Sequence, residues 1–251
     1  MSRRLPAPFA VLSLALLAAC GGGGDGSGGG DSGSAGAAAG LWNGSTTTGR
    51  AVTGIVLGDG TYYVFYSEAG FPNTIAGAVQ GSGSGGSSSF TSTNARDFNL
   101  EGLGVSSAGV TATATAKQSF NGNILYTGGT VTTFSSTYNV AYETKPTLAA
   151  LAGTYTGSVA LSAGTLAAVV TVAANGTLSS TASGCTIGGS ATPRSDGNAY
   201  DVTISFGPAP CFFANQSFNG LAYLDAASKR LYAAAPNGTR SDGVLFVGTK
   251  P

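Results

Sequence analysis

The chain has 251 residues, 41 of them glycine, and only 9% are charged. Glycine at about one residue in six, with many Ser, Thr, Ala and Val, is poor helix material, which excludes a helical bundle and points to an all-β protein of one or two domains. The 11 Lys and Arg balance the 11 Asp and Glu, so no basic field exists to hold nucleic acid; with no histidine, the commonest acid-base and metal-binding side chain is missing, and no cofactor or metal is expected.

The chain opens MSRRLPAPFAVLSLALLAAC, in which Arg3 and Arg4 form a charged leader and Phe9 to Ala19 an apolar stretch too short to span a bilayer. Leu17-Ala18-Ala19-Cys20 resembles the lipobox of bacterial lipoproteins. That resemblance implies a signal peptide over residues 1–19, cleavage before Cys20, and a lipid anchor: a diacylglycerol on the thiol and a third, palmitate-type acyl chain on the amine. Two or more chains hold a protein stably on a membrane, whereas one does not. In the family an Asp after the cysteine tends to retain the protein in the inner membrane; Gly21 therefore implies the outer membrane, with the folded part in the periplasm or on the cell surface.

Residues 20–39 then read as the lipidated cysteine and a disordered Gly-rich tether, because Gly21 to Ala39 offers almost nothing to bury. Nineteen residues of such coil span about 24 Å on average and about 65 Å when stretched. Asp25 and Asp31 are too few for the calcium-binding nonapeptide repeats that the tract superficially echoes.

Internal similarity organises the rest into two β units, residues 40–144 and 147–251. Gly40-Leu41-Trp42-Asn43-Gly44 lines up with Gly153-Thr154-Tyr155-Thr156-Gly157, the hairpin signal Leu57-Gly58-Asp59-Gly60-Thr61 with Ala173-Ala174-Asn175-Gly176-Thr177, and QSFNG occurs at Gln118 and again at Gln216. Lys145-Pro146 and Leu148 to Leu151 form the joint, with one helical turn. The second unit resolves into about eight short runs of strand character between Thr154 and Thr249, separated by Gly, Asn, Asp and Pro. Eight meandering strands close into a small antiparallel up-and-down barrel or form a two-sheet sandwich. The G-x-W of the first strand is similar to that of lipocalin and avidin barrels, which implies that Trp42 plugs one end. Tandem small barrels behind a glycine tether are also similar in layout to surface lipoprotein receptors such as transferrin-binding proteins.

Cys185 and Cys211 are expected to pair as a structural disulfide in an exported chain. Catalytic groups are scarce: there is no G-x-S-x-G, no S-x-x-K and no phosphate-binding loop, and no catalytic residue is assigned. Asp59, Asp196 and Asp242 precede glycines and read as turn residues. Asp97 and Glu101, four apart, would share a strand face and form the best available acid pair for a hydrolase. Tyr62, Tyr63, Phe65 and Tyr66 crowd one strand; Tyr62, Tyr63 and Tyr66 are taken as a binding face, the alternatives being an aromatic girdle or an interface with the second unit. The expected function is a non-enzymatic, lipid-anchored envelope protein, a binding or structural module whose two β domains bind a partner or ligand such as an envelope or host protein. An alternative is a carrier of a small apolar ligand, for which small interior residues such as Ala167, Val169 and Ala222 would leave a hollow; a carboxylate-pair hydrolase is the third reading.

Overall fold

The computed structural model describes residues 33–251; the expected signal peptide, the expected lipidation at Cys20 and the expected tether through residue 32 lie outside the described residues. The first eight-stranded barrel is built from β1 (Gly40–Thr46), β2 (Ala51–Val56), β3 (Thr61–Glu68), β4 (Phe71–Ser82), β6 (Ser89–Asn99), β7 (Gly104–Thr115), β8 (Ser119–Tyr126) and β9 (Val131–Tyr138), with β5 (Ser84–Gly85) a two-residue stub on β6. Each strand pairs antiparallel with its chain neighbour, β9 returns to β1, and β4 pairs with β6 from Gly77↔Asn99 to Gln80↔Arg96, which closes the cylinder. The second barrel comprises β10 (Gly153–Leu161), β11 (Gly164–Val172), β12 (Thr177–Ala182), β13 (Cys185–Pro193), β14 (Tyr200–Phe206), β15 (Ser217–Asp225), β16 (Arg230–Pro236) and β17 (Gly243–Thr249), closed by β10 against β17. The all-β expectation holds, as barrels and not as a sandwich. Closure leaves neither barrel a free sheet edge along its length, which suits short strands of low charge.

One helical turn precedes the first strand of each barrel and closes that end. In the second it is α1 (Leu148–Leu151), capped by the Thr147 hydroxyl, which accepts from the Ala150 N–H at 3.1 Å. The Tyr155 hydroxyl, on β10, donates back to the Leu151 carbonyl at 2.6 Å. In the first barrel the turn is Gly36–Ala38, and Trp42 Nε1, on β1, donates to the Ala38 carbonyl at 2.8 Å. Residues 33–39 thus fall in the stretch expected to be tether but are part of the fold: Ala35 and Ala38 are fully buried, and backbone bonds join Ala35 to Gly58 and Ala37 to Gly86. Composition missed this because alanines bury little area each. What holds them is backbone pairing at no side-chain entropy cost. Gly44 and Gly157 are each the fifth residue of the first strand of their barrel; a Cβ would lie 2.0 Å from the carbonyl oxygen of Ser135 in one and of Val247 in the other, so the neighbouring strand leaves no room for one.

Two of the three repeat markers occupy equivalent places: the first strands, and the turns β2–β3 and β11–β12. QSFNG does not. It enters the seventh strand of the first barrel, β8, and the sixth of the second, β15, so the two copies run in opposite directions along their barrels. Each follows a left-handed residue ending a turn, Lys117 (φ 56°) and Asn215 (φ 60°), and the shared pentapeptide is a local turn-to-strand entry.

The barrels pack side by side through outward-facing residues. Leu41, Ile55, Tyr63, Phe65 and Phe98 of the first meet Leu221, Tyr223, Tyr232 and Leu245 of the second, with the Phe65 and Tyr232 rings 5.4 Å apart. The Tyr142 hydroxyl donates to the Asp196 carbonyl at 2.8 Å, and Arg240 donates to the carbonyls of Gln80 and Asn94, each at 2.7 Å. The middle of the second barrel is filled: Phe206, Phe213 and Phe218 form a mutually tilted trio with centroids 4.7 to 5.4 Å apart, the gap among Leu178, Val202 and Phe246 is ≈ 60 Å³, and a space of ≈ 180 Å³ lies beside Leu161, Phe206 and Phe212. Ala222 lies in that core, but Ala167 and Val169 are on the outside, so the hollow expected around them does not exist; the β11 register puts Ala168 and Val170 inside instead.

Phe213 belongs to the β14–β15 loop, which is tied down by the expected disulfide between Cys185, at the start of β13, and Cys211. Closing a loop of 26 residues contributes about 3.5 kcal/mol in the chain-entropy account. The Cys185→Ala/Cys211→Ala variant should therefore unfold with a stability loss of about 2–4 kcal/mol in a urea titration. A loss near zero would mean that the loop is held by Phe213 packing alone.

Candidate functional site

The first barrel, unlike the second, is hollow: its interior holds a cavity of ≈ 460 Å³. The difference is written in the inward positions. In the second barrel Tyr155, Phe206, Phe213, Phe218 and Phe246 cross the interior, whereas β2 and β7 of the first present Val52, Gly54, Val56, Ala108, Val110 and Ala114. Aromatic bulk collects at the closed end, where Trp42 and Phe90 each pack on Phe120 with centroids 5.5 and 5.6 Å apart. There the Tyr62 hydroxyl is paired with Ser92 at 2.9 Å. The cavity is thus an apolar sleeve with an aromatic floor.

Its other end is polar. The β1–β2, β3–β4, β6–β7 and β8–β9 turns surround the mouth, and the strand termini beside them carry Arg50, Tyr66, Asp97, Asn99 and Tyr126. Asp97 is buried, with its two carboxylate oxygens accepting from the hydroxyls of Tyr66 at 2.7 Å and Tyr126 at 2.8 Å. The Asn99 side-chain amide donates to the Tyr66 hydroxyl at 3.2 Å. Arg50 stacks over the Tyr66 ring at 5.4 Å, donates to the Ser67 carbonyl at 2.9 Å and pairs with Glu101 at 2.6 Å. Burial pushes the Asp97 carboxyl above the ordinary carboxylate value, opposed by the two phenols and by Arg50. Burial and then the Asp97 charge push the Tyr66 and Tyr126 hydroxyls up, so both phenols stay protonated as donors.

The tyrosine strand is placed differently from a binding face on the surface. Tyr62, Tyr63 and Tyr66 are 3%, 7% and 7% exposed. Strand alternation sends Tyr62 and Tyr66 into the cavity and Tyr63, with Phe65, into the packing between barrels, where burial raises the Tyr63 hydroxyl to about 12. Both parities are aromatic because both faces are covered. The acid pair also separates: Asp97 is on β6 inside the barrel, while Glu101 lies beyond the strand end in the β6–β7 turn, bonded to Arg50, so strand periodicity does not apply to it. Asp59 is a turn residue as expected, its side chain accepting from the Thr61 N–H at 2.8 Å. Arg50, Asn99 and Tyr126 were not singled out from sequence. Arg50 and Asn99 reach Tyr66 from 16 and 33 positions away and Tyr126 reaches Asp97 from 29, and nothing in their local sequence marks them.

No family profile and no curated protein matches the chain. Among solved structures it shows distant likeness to isotype 1 transferrin binding protein B from serogroup B Neisseria meningitidis, at 9% identity and a TM-score of 0.28, over 80% of this chain and 65% of that one. A second likeness, to the intact Ap-TbpB with its N and C lobes, has 12% identity and a TM-score of 0.25, over 79% of this chain and 54% of the other. The chain spans less than two thirds of either structure.

Because burial raises the Asp97 value above the ordinary 3.8, the folded protein holds that proton more tightly than the unfolded chain. The contribution of this group to stability is full below 3.8 and is lost as pH rises through the raised value. Urea unfolding of Asp97→Asn should show its stability relative to the native protein rising from about pH 4 to about pH 7. A pH-independent difference would show that the fold does not oppose this ionisation.

Proposed function

We propose that this chain is a non-enzymatic, lipid-anchored envelope protein whose first barrel carries a small, mainly apolar ligand. The observation that carries the reading is the contrast between two barrels of one design, one packed with phenylalanine and the other keeping an apolar cavity of ≈ 460 Å³, within the range of small-molecule sites. Interior packing at native density is the default for small barrels, so an open interior is the feature that needs a reason. The Leu17-Ala18-Ala19-Cys20 sequence supports the anchor, and Gly21 supports the outer membrane. Residues 33–39 enter the barrel at its closed end, so a ligand enters by the mouth at the opposite end. A second reading, contact with an envelope or host protein, is supported at the same end by Phe71, Leu103 and Val131, which are 61%, 77% and 54% exposed near the mouth.

The neutral fluorophore N-phenyl-1-naphthylamine should bind saturably at one site per chain and alter the emission of Trp42, the only tryptophan, which lies in the cavity floor. Filling the sleeve with Ile124→Phe should weaken binding by about tenfold or more. Absence of saturable binding, or binding indifferent to that substitution, would end the carrier reading. For the anchor, Cys20→Ser should move the protein from the membrane fraction to the soluble fraction; retention on the membrane would mean that another element holds it there.

A further inference from the structure

The cavity contains a negative charge that the protein itself does not pair. Asp97 is 5% exposed, faces the cavity two residues before the mouth end of β6, and accepts only from two neutral phenols. The charged side chains near it are Arg50, from the β1–β2 turn, and Glu101, from the β6–β7 turn, and these two pair with each other at 2.6 Å. Arg50 spends its remaining contacts on the Ser67 carbonyl and the Tyr66 ring. Two carboxylates and one guanidinium leave the mouth one negative charge in excess. A carboxylate in an apolar cavity is costly unless a cation or further donors reach it, and here Tyr66 and Tyr126, whose hydroxyls hold it, line the same cavity.

We propose that the ligand of the first barrel is a small amphiphile with a cationic amino head group, its tail in the sleeve and its ammonium at the mouth against Asp97 and the tyrosine rings. This rests on the carrier reading and adds the class of ligand to it. The polarity gradient orients such a molecule: Trp42, Phe90 and Phe120 form the closed apolar floor, and the only buried carboxylate among the described residues sits near the opening. An alkyl carboxylate would instead bring a third negative group toward Asp97 and Glu101, with Arg50 already engaged.

The test compares three probes with the same tail, 1-octylamine, 1-octanol and octanoate, each titrated calorimetrically near neutral pH. The amine should bind about tenfold or more tightly than the alcohol, and octanoate should bind most weakly. In Asp97→Asn the amine should lose its advantage and match the alcohol. Because that substitution could disturb the fold, the native protein provides an independent check: amine affinity should fall as pH is lowered and Asp97 gains a proton, while alcohol affinity should stay constant. Equal binding of amine and alcohol, or preference for octanoate, would overturn the cationic class while leaving the carrier reading intact. Failure of all three probes to bind would overturn both. Ile124→Phe should weaken all three together, and a variant that bound them undiminished would place the binding outside the cavity and likewise overturn the proposal.

Discussion

An antiparallel meander has two unpaired edges, and everything else in this protein depends on their pairing: β1 with β9 in the first barrel, β10 with β17 in the second. Without those ladders a weakly charged, Ser- and Thr-rich sheet would expose hydrogen-bonding groups that recruit other chains. With them, each barrel has a defined inside, two ends and an outer wall, and the side chains of every strand are sorted among these places by alternation alone. A helical turn then closes the same end of each barrel, through an indole donating to Ala38 in one and a phenol donating to Leu151 in the other.

From this common frame the two barrels diverge by interior volume. Phe213, delivered by the disulfide-tied loop, meets Phe206 and Phe218 and fills the second; among the described residues no corresponding cork enters the first, where valines, alanines and Gly54 line the sleeve. Exposed apolar wall would be a liability, and much of it is removed where the barrels meet, with Tyr63 and Phe65 against Tyr223 and Tyr232. The filled barrel thus covers part of the hollow one. A hollow core forgoes dispersion contacts that a packed core would make, so the first barrel has reason to lean on a stable neighbour.

The mouth cluster shows how few groups set the character of such a cavity. Five side chains, Arg50, Tyr66, Asp97, Asn99 and Tyr126, come from four different strands or strand ends and form one connected set of hydrogen bonds and contacts. Two protonated phenols hold the carboxylate in place, and the guanidinium that could neutralise it is drawn to Glu101 at the rim. Polarity at one end and aromatic rings at the other give the sleeve a direction.

Much of the fold was legible locally. Glycine and β-branched residues at short intervals, Asn-Gly and Asp-Gly turns, and the paired G-x-[WY] strand starts specify short antiparallel strands, because turn chemistry and strand alternation act over a few residues. The cysteine pair was legible for a similar reason: two thiols in a segment expected to be exported have few alternatives. Local logic also misled. QSFNG marks a way of leaving a turn, and so recurs on strands that are not equivalent, while Ala35 and Ala38 looked like tether because burial of small residues leaves no hydrophobic pattern. By itself the sequence determined the class of fold, the lipobox-like leader and the places where strands begin. Which barrel is hollow, that Tyr62 and Tyr66 turn inward while Tyr63 turns toward the second barrel, and that Asp97 meets Tyr66 and Tyr126, were decided only by closure, because registry around a cylinder brings together residues whose separation along the chain carries no signal.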